Sequence, residues 1–374
     1  MKILQINMVK GWRGGESQTL LCMEQFRQAG HTVELLARTD EPLALRAQQS
    51  GFKVHTYKES LGAALFFLLG KATKYDIIHC QAANSLTWAV LFKWRYKGKL
   101  VYTRRTAFPI KKHKEKATKN KWLKVDLFVG VTHSSMNEAI RLGVIEPIMN
   151  TSNLNILSKS KKKANLVIPS ATIPQNFDVQ RLENIIKERN IENKKIIAVV
   201  SALTEEKDPF ITLDAIHQLN KRRQDFAVLH FGSGKMLEEC QRKAKELGLE
   251  KTYHFMGFQT KVEELFEGFD AYLLTSRHEG ANNGIINSFF NNVPVVSTAS
   301  GGPNDLIGEH NERGYLCPVG DSTALAKALY DALDSSPENL ERIEQALDYA
   351  KANHTVEVMA NSYLEAFNIL LNKA

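Results

Sequence analysis

The sequence predicts an α/β protein with two domains, each built around its own parallel sheet. In both halves of the chain, short apolar or β-branched runs alternate with stretches of helical periodicity, as in βαβ units. The length of 374 residues suits two cores better than one. The composition, 43% hydrophobic and 24% charged, is ordinary for a folded globular protein.

Each apolar run is a predicted strand. In the first domain these are Lys2 to Met8, Thr32 to Ala37, Lys53 to Tyr57, Asp76 to Cys80, Lys99 to Thr103, Leu127 to Val131 and Asn165 to Ile168. In the second they are Lys195 to Ser201, Ala227 to Phe231, Thr252 to Met256, Asp270 to Leu274, Val293 to Ser297 and Gly314 to Cys317. The segment 169–174 contains two prolines and no helical period, which predicts the boundary between domains at 1–170 and 171–355. Val356 to Leu371 is amphipathic at helical spacing, so residues 356–374 are predicted to form a final helix.

No segment has the properties of a leader or a membrane span. Met1 to Val9 has no cleavage-site pattern and is interpreted as a strand. The apolar run closest to a membrane helix, Leu61 to Leu69, is far shorter than the ~20 residues required. The cysteines Cys22, Cys80, Cys240 and Cys317 have neither zinc-binding nor dithiol spacing, so we expect buried thiols in a reducing cytoplasm.

The net charge of +8 conceals an asymmetry between the two halves. Residues 1–170 contain 28 Lys and Arg against 11 Asp and Glu, whereas the remainder contains 21 against 30. The basic residues are densest between Lys93 and Lys124, where Glu115 is the one acidic residue. Such a run is often only a solvated surface. The more specific interpretation is attraction to the inner leaflet of an anionic membrane or to an anionic glycan. Nucleic acid is not the expected partner, because no recognition motif accompanies the charge.

The most informative segment is His278-Glu279-Gly280-Ala281-Asn282-Asn283-Gly284-Ile285-Ile286-Asn287, followed by Gly301-Gly302. It predicts a strand end, a turn of small residues and a helix start, where backbone N–H groups can bind a phosphate. The segment resembles the sugar-nucleotide signature of the retaining glycosyltransferase family four. In that signature a Glu-Gly pair opens the loop and a second Glu follows eight positions after the first. Here the first carboxylate is Glu279, and the second position is Asn287.

The resemblance covers nearly the whole chain. It implies the GT-B fold: two Rossmann-like domains, an amino-terminal one for the acceptor and a carboxy-terminal one for the donor, with a cleft between them. It also implies that the last helix crosses back to the first domain. The implied reaction is retaining, metal-independent and without a cofactor, with a nucleotide-sugar as donor substrate. The expected setting is the cytoplasm, with attachment to the inner face of the inner membrane, and the expected pathway is lipopolysaccharide or polysaccharide assembly.

In the second domain the resemblance assigns catalysis to Glu279 and Lys207. Family members usually clamp the diphosphate with an Arg and a Lys; Lys207 is retained, but Ala202 occupies the Arg position. Arg277 or Arg13 is the hypothetical replacement. The other predicted donor contacts are Gly14, Gly15, Gly232, Gly234, Phe258, Gln259, Gly280, Ala281, Asn282, Asn283, Gly284, Ile285 and Asn287. Gly14 and Gly15 can also serve only a tight turn, and Phe258 can also be a core residue.

In the first domain Arg13, Glu16, Arg104 and Arg105 are predicted acceptor contacts, and His79 is a further candidate. Arg104 and Arg105 stand where many family members have Thr-x-His. Guanidinium groups suit bidentate binding of phosphate or carboxylate, so we expect an anionic glycan or lipid-linked acceptor. A His at a strand end, such as His79 or His133, is more often structural. Two alternatives stay open: a GT-B sugar-nucleotide epimerase, and a non-catalytic GT-B partner subunit that has lost contacts at Ala202 and Asn287.

Overall fold

The computed structural model describes residues 1–57, 68, 70, 72–147 and 164–372. It divides the chain into two compact units. The first unit comprises Met1–Ala171 with Thr355–Ala374, and the second comprises Thr172–His354. The predicted apolar run from Leu61 to Leu69 lies outside the described residues except for Leu68.

The first unit contains a seven-stranded parallel sheet in the order β3-β2-β1-β4-β5-β6-β7. Its strands are β1 (Lys2–Asn7), β2 (Thr32–Arg38), β3 (Lys53–Tyr57), β4 (Ile77–Cys80), β5 (Lys99–Arg104), β6 (Leu127–Gly130) and β7 (Ala164–Val167). Its described α-helices are α1 (Gly14–Gln28), α2 (Pro42–Gln49), α3 (Ala83–Ala89), α4 (Glu115–Trp122), α5 (His133–Arg141) and the last helix of the chain, α13 (Val356–Asn372).

Helices cover both faces of this sheet, which is why its strands are apolar on both sides. One core packs α1, α2 and α13 against the sheet, with Phe26 in edge-to-face contact with Tyr363 and Phe367. The other core packs α3, α4 and α5 against the opposite face and includes the buried Trp122. The predicted return of the last helix to the first domain is therefore confirmed.

The second unit contains a six-stranded parallel sheet in the order β10-β9-β8-β11-β12-β13. Its strands are β8 (Lys195–Val200), β9 (Phe226–Phe231), β10 (Tyr253–Gly257), β11 (Ala271–Leu274), β12 (Val295–Thr298) and β13 (Tyr315–Cys317). Its helices are α6 (Val179–Arg189), α7 (Pro209–Asn220), α8 (Leu237–Glu246), α9 (Asn283–Phe290), α10 (Gly302–Ile307), α11 (Ser322–Ala332) and α12 (Pro337–Asn353). Two cores again lie on opposite faces of the sheet.

The predicted strands are confirmed, each with its ends within two residues of the structure. The largest shift is in β12, which begins at Val295 and not at Val293. Val293 N instead donates to Ser288 O at 2.9 Å, at the end of α9. Pro294 has no N–H to donate, although its carbonyl accepts from Tyr272 N at 2.9 Å. The four cysteines are buried free thiols, as predicted. Among the described residues, no helix is long and apolar enough to cross a bilayer.

Both sheets have a topological switch point, where the chain reverses the direction in which it adds strands. In the first sheet it lies between β1 and β4, and in the second between β8 and β11. Open α/β sheets bind ligands in the crevice outside the carboxyl ends of the strands at such a point. The fold thus directs attention to the loops that follow β1 and β4, and to those that follow β8 and β11.

Candidate functional site

The loop between β11 and α9 is organised around the Glu279 carboxylate. Its Oε2 accepts hydrogen bonds from Lys207 Nζ, from Ser276 Oγ at 3.1 Å and from Asn282 Nδ2 at 3.3 Å. The backbone is also fixed, because Glu279 N donates to Ser300 O at 2.7 Å and Gly302 N donates to Glu279 O at 3.0 Å. Glu279 is therefore held in one orientation at the second switch point. Its partner Lys207 comes from the loop that follows β8.

Lys207 ends a short 3-10 helix, Glu205–Lys207, and lies before the start of α7. Thr275 Oγ1 donates to Lys207 O at 3.0 Å, which ties this turn to the Glu279 loop. The two loops are joined a second time by Arg277, whose Nε donates to Asp208 Oδ2 at 2.7 Å and whose N donates to Glu206 O at 2.8 Å. The predicted replacement cation Arg277 thus lies in the same loop cluster as Lys207. Asp208 is buried, whereas half of the Arg277 side chain is exposed.

The start of α9 is held by its capping residue Asn282. Its Oδ1 accepts from Ile285 N at 3.1 Å and from Tyr272 OH at 3.2 Å. Burial, with the nearby Glu279 charge, raises the pKa of Tyr272, so its hydroxyl stays protonated and donates. The first N–H groups of a helix have no acceptor within the helix. Those of Asn283 and Gly284 are consequently in position to bind an anion.

The glycines of this loop are required sterically. A Cβ on Gly284 would lie 2.2 Å from Tyr272 Oη, and one on Gly302 would lie 1.6 Å from Gly280 O. Both distances are far below van der Waals contact, so a side chain at either position displaces the loop that carries Glu279. The small residues in this segment keep the backbone close to the carboxylate.

The two other predicted turns follow β9 and β10, at the same carboxyl edge of the sheet. In the sheet, β9 and β10 lie on the other side of β8 from β11. Gly232 N donates to Gly257 O at 2.8 Å, which brings the ends of β9 and β10 together. A Cβ on Gly232 would lie 1.8 Å from Ser201 O, and one on Gly234 would lie 2.2 Å from Leu203 O. Phe258 is not a core residue, because 72% of it is exposed. Gln259 is exposed as well and accepts from Arg181 Nη2 at 3.1 Å.

Asn287, which stands at the family's second carboxylate position, lies on α9 and is half-buried. Its Oδ1 accepts from Thr172 Oγ1 at 2.8 Å. That bond uses one of the two acceptor positions of the amide oxygen, so Asn287 can still accept through Oδ1 as well as donate through Nδ2. Sequence reasoning missed Thr172. It lies between the prolines at 169 and 174, and nothing in that segment indicates a contact with Asn287, 115 positions later.

In the first unit, helix α1 begins at Gly14, in the loop after β1. Glu16 is buried, and its carboxylate accepts from Arg13 N at 3.0 Å and from Asn7 Nδ2 at 3.3 Å. Burial raises the pKa of Glu16, although these hydrogen bonds oppose the shift. Arg13 and Gly14 are exposed at the helix start. Of the predicted acceptor pair, Arg13 thus faces solvent, and the Glu16 carboxylate is used within the unit.

His79 lies in a buried polar cluster next to this loop. Its Nδ1 accepts from Gln5 Nε2 at 3.2 Å and from Gln81 Nε2 at 3.3 Å, so Nε2 carries the proton and donates to Thr103 Oγ1 at 2.8 Å. Burial, together with the nearby charge of Arg105, lowers the pKa of His79 to about 3. His79 is therefore neutral near pH 7, with both ring nitrogens bonded inside the unit.

The two neighbouring arginines at the end of β5 have different surroundings. Arg104 is 3% exposed, and its guanidinium donates to Ser135 O at 3.1 Å and to Phe108 O at 2.5 Å. Arg105 is half-buried and donates from Nη2 to Gln81 Oε1 at 2.6 Å. Its Nε is buried and has no hydrogen-bond partner among the described residues. A Cβ built on Gly15 lies 3.6 Å from Arg105 Cδ, so Arg105 adjoins the start of α1.

The structure thus brings the predicted residues together in two groups, one in each unit. Glu279, Lys207, Arg277 and the residues of α9 form the first group, and Arg105, Gly15 and Glu16 form the second. Arg104 and His79 lie next to the second group, but their polar atoms bond other residues of the unit. His133 begins α5. The assignment of these residues to donor and acceptor stays a prediction.

Comparisons with known proteins agree with this geometry. The family model "Glycosyl transferases group 1" matches residues 180–349, and "Glycosyltransferase Family 4" matches residues 12–149. The putative glycosyltransferase EpsD of Bacillus subtilis is 24% identical over 361 residues, which are 90% of each chain. The lipopolysaccharide core biosynthesis glycosyltransferase LpsE of Rhizobium meliloti is 25% identical over 134 residues, which are 36% of this chain and 39% of LpsE.

The crystal structure of HepE from Anabaena in complex with UDP-glucose superimposes with a TM-score of 0.83 at 18% identity. The superposition covers 98% of this chain and 99% of HepE. It shows a shared fold, and the sequence matches add the activity class. The chain is a glycosyltransferase with the GT-B fold.

Proposed function

We propose that this glycosyltransferase transfers a sugar from a nucleotide-sugar donor, with retention of anomeric configuration, to an acceptor in bacterial envelope polysaccharide assembly. The observation that carries the proposal is the Lys207–Glu279 pair at the second switch point, beside the first N–H groups of α9, which have no acceptor within the helix. These groups suit a sugar diphosphate, which presents an anion and a neutral hydroxylated ring side by side. The family matches and the polysaccharide relatives support the proposal.

In the proposed donor complex the diphosphate lies against Lys207 Nζ and the N–H groups of Asn283 and Gly284. Positive charge is needed most at the bond that breaks, because the leaving nucleoside diphosphate gains negative charge there. Preorganised donors at such a position are usually the largest protein contribution to catalysis. Lys207 and the helix start can supply this charge. The proposed mechanism is therefore metal-independent.

Glu279 is bonded to Lys207 in the structure, so donor binding exchanges one anionic partner of the lysine for another. Once separated from Lys207, the Glu279 carboxylate can accept hydrogen bonds from the sugar hydroxyls and stabilise positive charge at the anomeric carbon. The acceptor oxygen bonds to that carbon on the face that the diphosphate leaves. The acceptor's proton passes to the departing phosphate oxygen.

Arg277 is proposed to replace the arginine that is missing at Ala202. It is anchored to Asp208 through Nε alone, which leaves its two terminal nitrogens available in this contact, and half of its side chain is exposed. A guanidinium in this position can bind a phosphate oxygen with two N–H groups. Replacement of Arg277 by alanine should therefore weaken diphosphate binding, and an unchanged affinity would rule out this role.

The acceptor is proposed to carry a phosphate or carboxylate, as in an anionic glycan or a lipid-linked sugar. The supporting observation is Arg105, whose buried Nε has no partner among the described residues and whose neighbour Gly15 lies in the first turn of α1. A buried donor without a partner is costly, and an anionic group would satisfy it. The strongly basic first unit would hold the enzyme at the inner leaflet, where such acceptors are presented.

A panel of UDP-, GDP-, ADP- and CMP-sugars tests the proposal, with thermal shift as the measure of binding and sugar release as the measure of turnover. One nucleotide class should stabilise the protein, by about 2.7 kcal/mol at a hundred times its Kd. Lys207→Met and Glu279→Gln should each abolish turnover. Lys243→Met is the matched control, because Lys243 pairs with Asp214 in the same unit at similar exposure.

The outcomes separate the proposal from its alternatives. A partner subunit would release no sugar from any donor, and an epimerase would convert the donor without an acceptor. If Lys207→Met and Lys243→Met bind and turn over the donor equally well, Lys207 is not the diphosphate contact.

A further inference from the structure

The first unit carries an exposed surface on the side of its sheet covered by α3, α4 and α5. It consists of the 3-10 helix Val90–Arg95 with residues 96–97, the loop 106–114, the outer side of α4, and Leu123 with Lys124. We call this surface the α4 strip. Lys121 Nζ donates to Ala83 O and to Thr87 Oγ1, which places α4 beside α3. The strip therefore follows one helical layer of the unit.

The two ends of the strip lie at opposite edges of the sheet. The loop 106–114 follows β5 at the carboxyl edge, where Arg104 holds the carbonyl of Phe108. At the amino edge, Lys93 pairs with Asp126, and Asp126 Oδ2 accepts from Leu100 N at 2.6 Å. These contacts bring the helix Val90–Arg95 next to Leu123 and Lys124. Helix α4 spans the distance between the two edges, about 12 Å for its eight residues.

Large apolar side chains point outwards along the strip. Trp94 is 74% exposed, Leu91 50%, Phe108 42% and Leu123 39%. Three of them, Leu91, Trp94 and Leu123, lie at the amino edge, and exposed apolar groups that share one surface usually mark an interaction site. Exposed cations surround these side chains: Arg95, Lys97, Lys111, Lys112, Lys116 and Lys124.

The acidic residues in the strip and next to it are paired with basic residues other than these six. Glu115 bonds Arg141 at 2.8 Å, and Asp126 bonds Lys93. Both carboxylates are thus already paired with other basic residues. The strip presents to solvent a set of apolar side chains enclosed by positive charge.

We propose that the α4 strip is the surface by which this enzyme lies on an anionic lipid bilayer. Tryptophan and leucine enter the boundary between head groups and acyl chains, and Lys and Arg meet the anionic head groups. A nucleic acid fits less well, because its bases stack on aromatic rings and not on Leu91 or Leu123. A protein partner fits less well, because lysine is depleted at the centres of protein interfaces.

The strip also sets an orientation, which rests on the proposed function. If the strip faces the bilayer, the carboxyl edge of the sheet lies beside the membrane surface, at the level of the head groups. The loop 106–114 then lies at the membrane, and it continues directly from Arg105. A lipid-linked acceptor would reach Arg105 without leaving the bilayer.

The test is sedimentation of the full chain with vesicles in the absence of any sugar nucleotide, so that it does not depend on catalysis. Wild type should bind vesicles of phosphatidylglycerol and phosphatidylcholine, bind pure phosphatidylcholine far more weakly, and dissociate as salt is raised. Lys112→Glu with Lys116→Glu, and Leu91→Ser with Trp94→Ser, should each reduce binding at least tenfold.

Matched controls come from the second unit. Lys245→Glu with Lys251→Glu changes the charge equally on exposed lysines, and Leu340→Ser with Tyr330→Ser removes exposed apolar groups of 55% and 39% exposure. Both control variants should bind like wild type. Trp94 fluorescence should also shift to the blue on vesicles and be quenched by brominated lipid, and Trp94→Phe should lose that signal.

Three results would overturn the proposal: no binding to phosphatidylglycerol vesicles, equal binding by strip and control variants, or equally tight binding to duplex DNA. The proposed glycosyl transfer is tested separately by the donor panel. A protein that turns over a donor but ignores vesicles would contradict the docking surface alone.

Discussion

Asn287 allows the proposed donor site to be tested by a gain of affinity. In the family signature this position carries a carboxylate for the two ribose hydroxyls, and here an amide is bonded through its oxygen to Thr172. Asn287→Glu adds a charged acceptor on the half-buried side of α9. Hydrogen bonds to a charged group contribute about 1.5–3 kcal/mol, against about 1 kcal/mol for neutral pairs. The difference is about 0.5–2 kcal/mol for one hydroxyl and about 1–4 kcal/mol for two. We expect a gain near the lower end, about 1.4 kcal/mol, which is a tenfold lower Kd.

The assay is isothermal titration with the nucleoside diphosphate selected by the panel. The tenfold gain should disappear with the 2′,3′-dideoxy analogue, which lacks the hydroxyls. Asn291→Glu, four residues later at the C-terminal cap of α9, adds the same charge and should not reproduce the gain. Equal affinities for wild type and a folded Asn287→Glu protein would show that the side chain at position 287 does not contact the ribose hydroxyls.

Three further predictions concern the scaffold. Glu34 is buried. Burial raises its pKa, but hydrogen bonds from His55 and Tyr75 and the charge of Lys2 lower it by more, so that the pKa is about 2 and not the ordinary 4.5. Its stabilisation, about 2–3 kcal/mol, is fully present above pH 4.5 and is lost as the pH falls towards 2. In urea titrations, Glu34→Gln should therefore be less stable than wild type at pH 7, and the difference in their free energies of unfolding should become smaller below pH 4.5. A difference that does not depend on pH would contradict this role of Glu34. Arg104→Ala should cost about 2–3 kcal/mol because it releases two carbonyls, whereas Arg105→Ala should cost less than half as much and instead weaken acceptor binding. Equal losses of stability would show that the two arginines have the same structural role. Gly302→Ala should cost about 1–3 kcal/mol through the clash with Gly280 O, while Gly15→Ala, with its nearest contact at 3.6 Å, should be nearly neutral in the same denaturation assay. A stable Gly302→Ala protein would show that the loop yields easily.

The strands were predictable because parallel strands covered on both faces are continuous apolar runs. Ile3 to Ile6 and Ile196 to Val199 are examples, apolar or buried at every position. The largest shift came where a polar contact decided the boundary, at Val293, whose N–H bonds the carbonyl of Ser288. The last helix was predictable from its amphipathic period, but its contact with Phe26 of α1 depends on tertiary structure.

The site was predictable only where it is local in sequence. The loop from Glu279 to Asn287 follows from glycine spacing and the Asn282 cap. The pairing of Glu279 with Lys207 joins positions 72 apart, and the family resemblance supplied both residues without their contact. Thr172, Asp208 and Gln81 were missed as site residues because each meets its partner through the fold. The two adjacent arginines, Arg104 and Arg105, look alike in sequence, and only the fold gives them different burial and different hydrogen-bond partners.

A crystal structure of the enzyme with its donor nucleotide tests the central claim most directly. We predict that the diphosphate lies within hydrogen-bond distance of Lys207 Nζ and the N–H groups of Asn283 and Gly284, and that Lys207 has moved off Glu279. A bound nucleotide at another place, with Lys207 still paired to Glu279, would contradict the account.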